Sequence, residues 1–135
     1  MCYPSVVRHD KDFIPNWILW FIVETVDEIK RSGVAASEKR KSRVKAIIEY
    51  FKGYENEYGL LENLDGWVFV EWSKADELIS GVNFPTNMLY CGALYAAGEI
   101  LGNKALSDKA EKVKRAITEL SFNGKYFRDH ALREN

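Results

Sequence analysis

Apolar positions along this chain fall into two alternating patterns. From Pro15 onward, Trp17, Ile18, Leu19, Trp20, Phe21, Ile22, Val23, Val26 and Ile29 surround most of a helical circumference, the pattern of an element buried on nearly every side. A proline is tolerated in a first turn, where its missing donor costs nothing. A helix is therefore predicted from Pro15 or Asn16 to about Arg31, stopped by Ser32-Gly33. The next stretch, about Ser37 to Lys52, sets Val44, Ile47, Ile48 and Phe51 at i, i+3, i+4 and i+7 and fills the rest with Lys39, Arg40, Lys41, Arg43 and Lys45. That spacing predicts an amphipathic helix with a wet face.

The alternation then repeats. A third helix, about Thr86 to Leu101, is apolar on most sides through Leu89, Tyr90, Ala93, Leu94, Tyr95, Ala96, Ala97, Ile100 and Leu101, and Gly102 is its expected left-handed cap. Small residues at Gly92, Ala93, Ala96, Ala97 and Gly98 permit close helix approach. A fourth, about Lys104 to Ser121, carries Leu106, Ala110, Val113, Ile117 and Leu120 on one stripe and is peripheral.

The fold class expected is all-α: two helical hairpins of alternating inner and outer helices, with a long aromatic loop between them. The buried helices display more apolar surface than four helices can cover. Consecutive units of an (α/α)6 toroid suit this better than a closed four-helix bundle, which is the competing arrangement. In a toroid the long segments Tyr3 to Asn16, Gly53 to Pro85 and the tail after Ser121 gather on one face around the central cavity. Long loops on a rigid helical scaffold are where binding and catalysis concentrate.

The longest of these loops contains Trp67-Val68-Phe69-Val70-Glu71-Trp72. Two indoles and a carboxylate so close together fit a ligand-facing wall. The alternation also fits a short strand, with Val68 and Val70 on one side, Trp67, Phe69 and Glu71 on the other, and Trp72 opposite Trp67. Either indole can instead fill the gap between inner helices. Asn16 and Asn87 each have two readings, a helix cap or a ligand contact.

Composition narrows the field. The 135 residues are 47% hydrophobic and 29% charged, enough for one globular domain with a real core. A formal net charge of −1, with Lys and Arg spread along the helices, argues against a nucleic-acid partner. The run Ile18 to Val23 is too short to span a bilayer, so no membrane partner is expected. Cys2 and Cys91 read as free thiols, and no Cys/His cluster has zinc spacing; neither a metal nor a cofactor is called for. Glu55, Glu57 and Glu62, beside Gly53, Asn56 and Gly59, read as a solvated turn, and His9 and His130 as surface or loop histidines. No signal peptide is visible, and Tyr3-Pro4-Ser5 and Asp12-Phe13-Ile14-Pro15 look like an internal loop leading into a helix. Residues 1–135 are accordingly read as a single partial domain.

Three blocks carry a resemblance: Phe13-Ile14-Pro15-Asn16-Trp17, Trp67-Val68-Phe69-Val70-Glu71-Trp72-Ser73 and Asn87-Met88-Leu89-Tyr90-Cys91-Gly92-Ala93-Leu94. In order and approximate separation they resemble successive blocks of the α-L-rhamnosidase catalytic domain, glycoside hydrolase family 78. The middle block is the most specific, and the likeness covers the chain but only part of that family's (α/α)6 barrel. It implies hydrolysis of a terminal α-L-rhamnoside with inversion, by a carboxyl acid and a carboxylate base standing ~6.5–9.5 Å apart. In the family the acid lies upstream of the stretch matched here and the base downstream. The chain would thus supply pocket wall and no catalytic residue, and by itself should be inactive. The resemblance makes Trp72, Trp67, Glu71 and Asn16 the substrate-binding candidates. Asn16 stands where the family usually has Asp, a neutral group in place of a charged one, and Glu71 replaces the usual Asp before the last Trp. The partners implied are a terminal α-L-rhamnoside or related sugar and the remainder of the parent barrel, with self-association where inner helices lack cover. The alternatives are a non-catalytic helical sugar-binding or interaction module, and a fragment of another six-hairpin glycosidase.

Overall fold

A computed structural model describes residues 14–70 and 78–132. Among them lie four α-helices, α1 (Pro15–Ser32), α2 (Glu38–Lys52), α3 (Phe84–Leu101) and α4 (Lys104–Ser121), and no strand beyond isolated bridges. The helix ends follow from local chemistry. Ser37 caps α2 by accepting from the Arg40 N–H at 3.2 Å, and Gly33 (φ 70°) and Gly102 (φ 60°) close α1 and α3 in the left-handed conformation. α3 begins at Phe84, ahead of the expected Thr86. Asn83 is its cap, accepting from the Thr86 N–H at 2.9 Å, and Pro85 sits in the first turn, where no donor is needed. Neither Asn16 nor Asn87 caps anything; both lie inside helices, and the residue before α1 is Ile14, which offers no side-chain cap.

α1 and α3 run parallel and in contact. Asn16 bonds Thr86 near their N-terminal ends, and Lys30 pairs with Glu99 at 3.2 Å near their C-terminal ends. Each is followed by an antiparallel partner behind it. Arg40 of α2 reaches back to Glu28 at 2.6 Å, and the Cys91 thiol of α3 meets the carbonyl of Ala110 in α4 at 3.4 Å. α3 is the hub, packing on the other three helices, and α1 has no comparable contact with α4 among the described residues. The result is an inner pair, α1 and α3, backed by an outer pair, α2 and α4. Leu19, Ile22 and Val26 meet Leu94 and Ala97 in one core, closed from behind by Val44, Ile48 and Phe51 and by Ala110, Val113 and Ile117. Each fully buried Leu, Ile, Val or Phe contributes about 1.5–3 kcal/mol of hydrophobic stabilisation.

Small residues set the inner-to-outer spacing. A Cβ on Gly98 would fall 2.5 Å from Ser107 Oγ and 3.1 Å from the Asn103 carbonyl oxygen, so only glycine lets the α3–α4 turn close. α1 departs from expectation. It buries Leu19, Phe21, Ile22, Thr25 and Val26, while Trp20 is 50% exposed and Trp17, Ile18 and Val23 are half-buried. A helix apolar on most sides covers only the arc that faces its neighbours, and for α1 that arc faces α3 and α2.

The loop and the tail meet at the end where α1 and α3 begin. Asn87, fully buried, accepts from the Leu61 N–H at 2.6 Å and donates to the Leu61 and Asn83 carbonyls, each at 3.0 Å. Asn63 and Gly81 exchange bonds across the loop, Asn63 N–H to the Gly81 carbonyl at 3.1 Å and Gly81 N–H to Asn63 Oδ1 at 2.9 Å. The tail returns to the same place. Phe84 N–H donates to the Asp129 carbonyl at 2.9 Å, and Asn83 bridges His130. His130 is a loop histidine, one of the two settings expected, but not a surface one. It is buried, its Nδ1 accepting from the Leu132 N–H and its Nε2 facing the Ser80 carbonyl, so that Nε2 is the ring nitrogen placed to donate. The stretch Tyr3 to Phe13 lies outside the described residues.

Candidate functional site

The described part of the aromatic loop sits over the start of the inner pair. Val68 points inward and is buried, against a void of only about 10 Å³ lined by Leu61, Leu64, Ile79, Gly81, Asn83 and Thr86. That is room for about one water, so the underside of the loop is closed. Trp67 and Phe69 share the other side, in edge-to-face contact with centroids 5.3 Å apart and planes at 67°. The alternation read from the sequence thus holds over residues 67–69, without a strand to produce it. Trp67 keeps 39% of its surface exposed; it does not plug the inner pair.

A buried polar chain holds this wall. Phe69 N–H donates to Asn16 Oδ1 (3.1 Å), Asn16 Nδ2 donates to Thr86 Oγ1 (3.0 Å), Thr86 Oγ1 donates to Asn83 Oδ1 (2.7 Å), and Asn83 Nδ2 donates to the Leu78 carbonyl (3.4 Å). Asn16, Thr86 and Asn83 are each at least 96% buried, at 4%, 2% and 3% residual exposure. Of the four candidates, the structure thus brings Asn16 and Trp67 together through Phe69. Glu71 and Trp72 lie outside the described residues.

Of the glutamates expected in a solvated turn, Glu57 is exposed in a turn, but Glu55 belongs to a second, largely buried cluster. Glu55, just past α2, accepts from the Tyr90 hydroxyl of α3 at 2.5 Å and pairs with Lys109 of α4, with only 15% of its side chain exposed. Burial, and then the hydrogen bond to Glu55, push the Tyr90 phenol well above its ordinary range. Three elements distant in sequence meet here, which spacing along the chain does not reveal. Two further carboxylates of this region, Asp65 and Glu62, are engaged too, while Glu57 is exposed. Asp65 accepts from the Tyr54 hydroxyl at 2.6 Å and Glu62 from Asn56 Nδ2 at 3.2 Å. The bond to Asp65, then that to Tyr50, raise the Tyr54 phenol. Cys91 is buried and its thiol is pushed up by that burial, so it is a poor nucleophile.

Elsewhere, an open groove of about 940 Å³ lies at the opposite end, between Lys45, Ile48 and Glu49 of α2 and the turn Leu101–Leu106. Its distance from the aromatic loop sets it apart from the wall. Among the described residues no three His, Cys, Asp or Glu side chains converge as a metal site, and no helix is long and apolar enough to cross a membrane. Compared with protein-family models, with characterised proteins and with solved structures, the chain matches none.

Proposed function

We propose that the chain is part of a six-hairpin glycosidase of the α-L-rhamnosidase type, supplying two hairpins of the (α/α)6 barrel and a stretch of sugar-binding wall. The observation that carries this reading is the parallel, side-by-side placement of α1 and α3, with the long loop and the tail gathered where both begin. An up-and-down four-helix bundle sets its first and third helices across a diagonal; consecutive inner helices of a toroid lie side by side. The half-exposed Trp20 supports it as well, since a further inner helix would cover that flank.

In this reading Trp67 offers an indole face to the apolar face of a terminal α-L-rhamnoside, with Trp72 and Glu71 completing the wall. The acid and base stand on other parts of the barrel, and Glu55, Asp65 and Glu62 of the described loop are occupied in holding it together. The chain binds sugar weakly and does not cut it. A chromogenic α-L-rhamnoside, offered to this chain and to the full product of the surrounding reading frame, is the test: hydrolysis by the full product and none by the chain is expected. Turnover by the chain alone would overturn the division of labour, and a full product inert on every rhamnoside would overturn the substrate.

A further inference from the structure

The polar chain beneath the aromatic loop has a fixed direction. Backbone N–H groups only donate and backbone carbonyls only accept, so the Phe69 N–H at one end and the Leu78 carbonyl at the other orient both amides and the hydroxyl between them. From this geometry we infer that Asn16, Thr86 and Asn83 are positioning residues, a buried relay that fixes two separate points of the aromatic loop to the N-terminal ends of the inner helices. Asn16 then serves the wall without touching sugar. Its oxygen holds Phe69, Phe69 holds Trp67 edge-on, and Trp67 presents the exposed indole. A side chain 96% buried, with both polar ends engaged, leaves a sugar hydroxyl no approach.

The relay couples its two ends. Cutting the middle link leaves a buried donor on Asn16 without its partner and takes from Asn83 Oδ1 one of its two donors, the Thr86 N–H remaining, so both amides adjust to the lost hydroxyl. A role for Asn16 in local packing alone would leave the Leu78 flank unmoved. The relay also tolerates one substitution and not another. In Asn16→Asp the carboxylate still accepts from the Phe69 N–H, and the Thr86 hydroxyl turns round to donate to it, while Asn83 keeps the Thr86 N–H. In Asn16→Leu the side chain at position 16 offers no acceptor.

The sugar-facing role rests on the glycosidase reading; the relay does not, and the experiment separates them. The whole chain and its Asn16→Leu, Asn16→Asp and Thr86→Val variants are followed by NMR at neutral pH, reading Phe69 amide exchange, the Trp67 indole, and the Ile79 amide, which shares a peptide unit with the Leu78 carbonyl. Each is then titrated with methyl α-L-rhamnoside. Asn16→Leu should speed Phe69 exchange about tenfold, the scale of one lost hydrogen bond, and shift the indole. Thr86→Val, the milder lesion should Asn16→Leu fail to fold, should move the Phe69 and Ile79 signals together. Asn16→Asp should keep Phe69 protected and hold rhamnoside affinity within about twofold of wild type, against a loss of about tenfold in Asn16→Leu. Unchanged Phe69 exchange in Asn16→Leu, or an unmoved Ile79 in Thr86→Val, overturns the relay. Rhamnoside binding lost in Asn16→Asp while Phe69 stays protected overturns it too, because Asn16 would then touch the sugar. A wild type that ignores rhamnoside while Phe69 and Ile79 respond as stated upholds the relay and sinks the sugar reading.

Discussion

Asn87 shows how one side chain can order a loop. Its amide closes both backbone groups of Leu61 and one of Asn83, all out of reach of water. Replacing it with alanine strands those groups, at about 1–3 kcal/mol for a buried unsatisfied partner, and urea denaturation of Asn87→Ala should show a loss of ~2–4 kcal/mol. Tyr90 gives a prediction in pH. Its folded pKa is raised, so the unfolded chain releases the phenol proton near the ordinary value of about 10 while the folded chain keeps it. The stabilisation is complete below that pH and declines as pH rises above it. Urea midpoints measured from pH 8 to 11 should fall above about pH 10, and Tyr90→Phe should flatten the fall. Tyr95, pushed up to about 12 by its bond to Glu111, and Tyr54 leave a residual slope. Tyr90 was legible as a packing residue of α3 but its bond to Glu55 was not, and Asn87 had two local readings, cap or ligand contact, while its true partner lies 26 positions away.

At the scale of the element, the helices were legible and their depth was not. Proline at the start, glycine at the end and the spacing of apolar residues gave α1, α2 and α4 nearly to the residue, because those signals act within a turn or two. α3 starts earlier than expected because Asn83, Thr86 and Asn87 are all capable of polar work at a helix start, and only the fold assigns the cap to Asn83. Trp67 and Phe69 were placed correctly on one side of the loop by alternation, yet the relay that holds them links residues 16, 69, 78, 83 and 86 and has no local signature. Gly98 offers a test of the helix packing. Alanine there gains about 1 kcal/mol in helix propensity, but its Cβ meets Ser107 and the Asn103 backbone. Overpacking of that kind costs about 1–3 kcal/mol, so clash outweighs propensity. Thermal melts of Gly98→Ala should show net destabilisation, with Ser107→Gly recovering part of it.

For the whole molecule, the inner pair has one covered side and one open side. Trp20 is half-exposed and Met88 is 40% exposed on the inner helices, and Phe122 and Phe127 stack on each other at the surface of the tail. Leaving a few hundred Å² of apolar surface in water forfeits several kcal/mol at ~25 cal/mol per Å², comparable to the stability of a domain. The chain alone should therefore self-associate, giving masses above that of a monomer in light scattering, with Trp20→Glu lowering them. A monodisperse monomer that melts cooperatively would count against the toroid. The proposed sugar wall, and the proposal that the carboxylates serving it lie outside this chain, are tested most directly by one measurement: NMR of a terminal α-L-rhamnoside incubated with the full product of the surrounding reading frame, read at the anomeric carbon. The predicted result is release of rhamnose first as the β anomer, with the chain alone releasing none. Release first as the α anomer, or no release at all from any rhamnoside, would contradict the account.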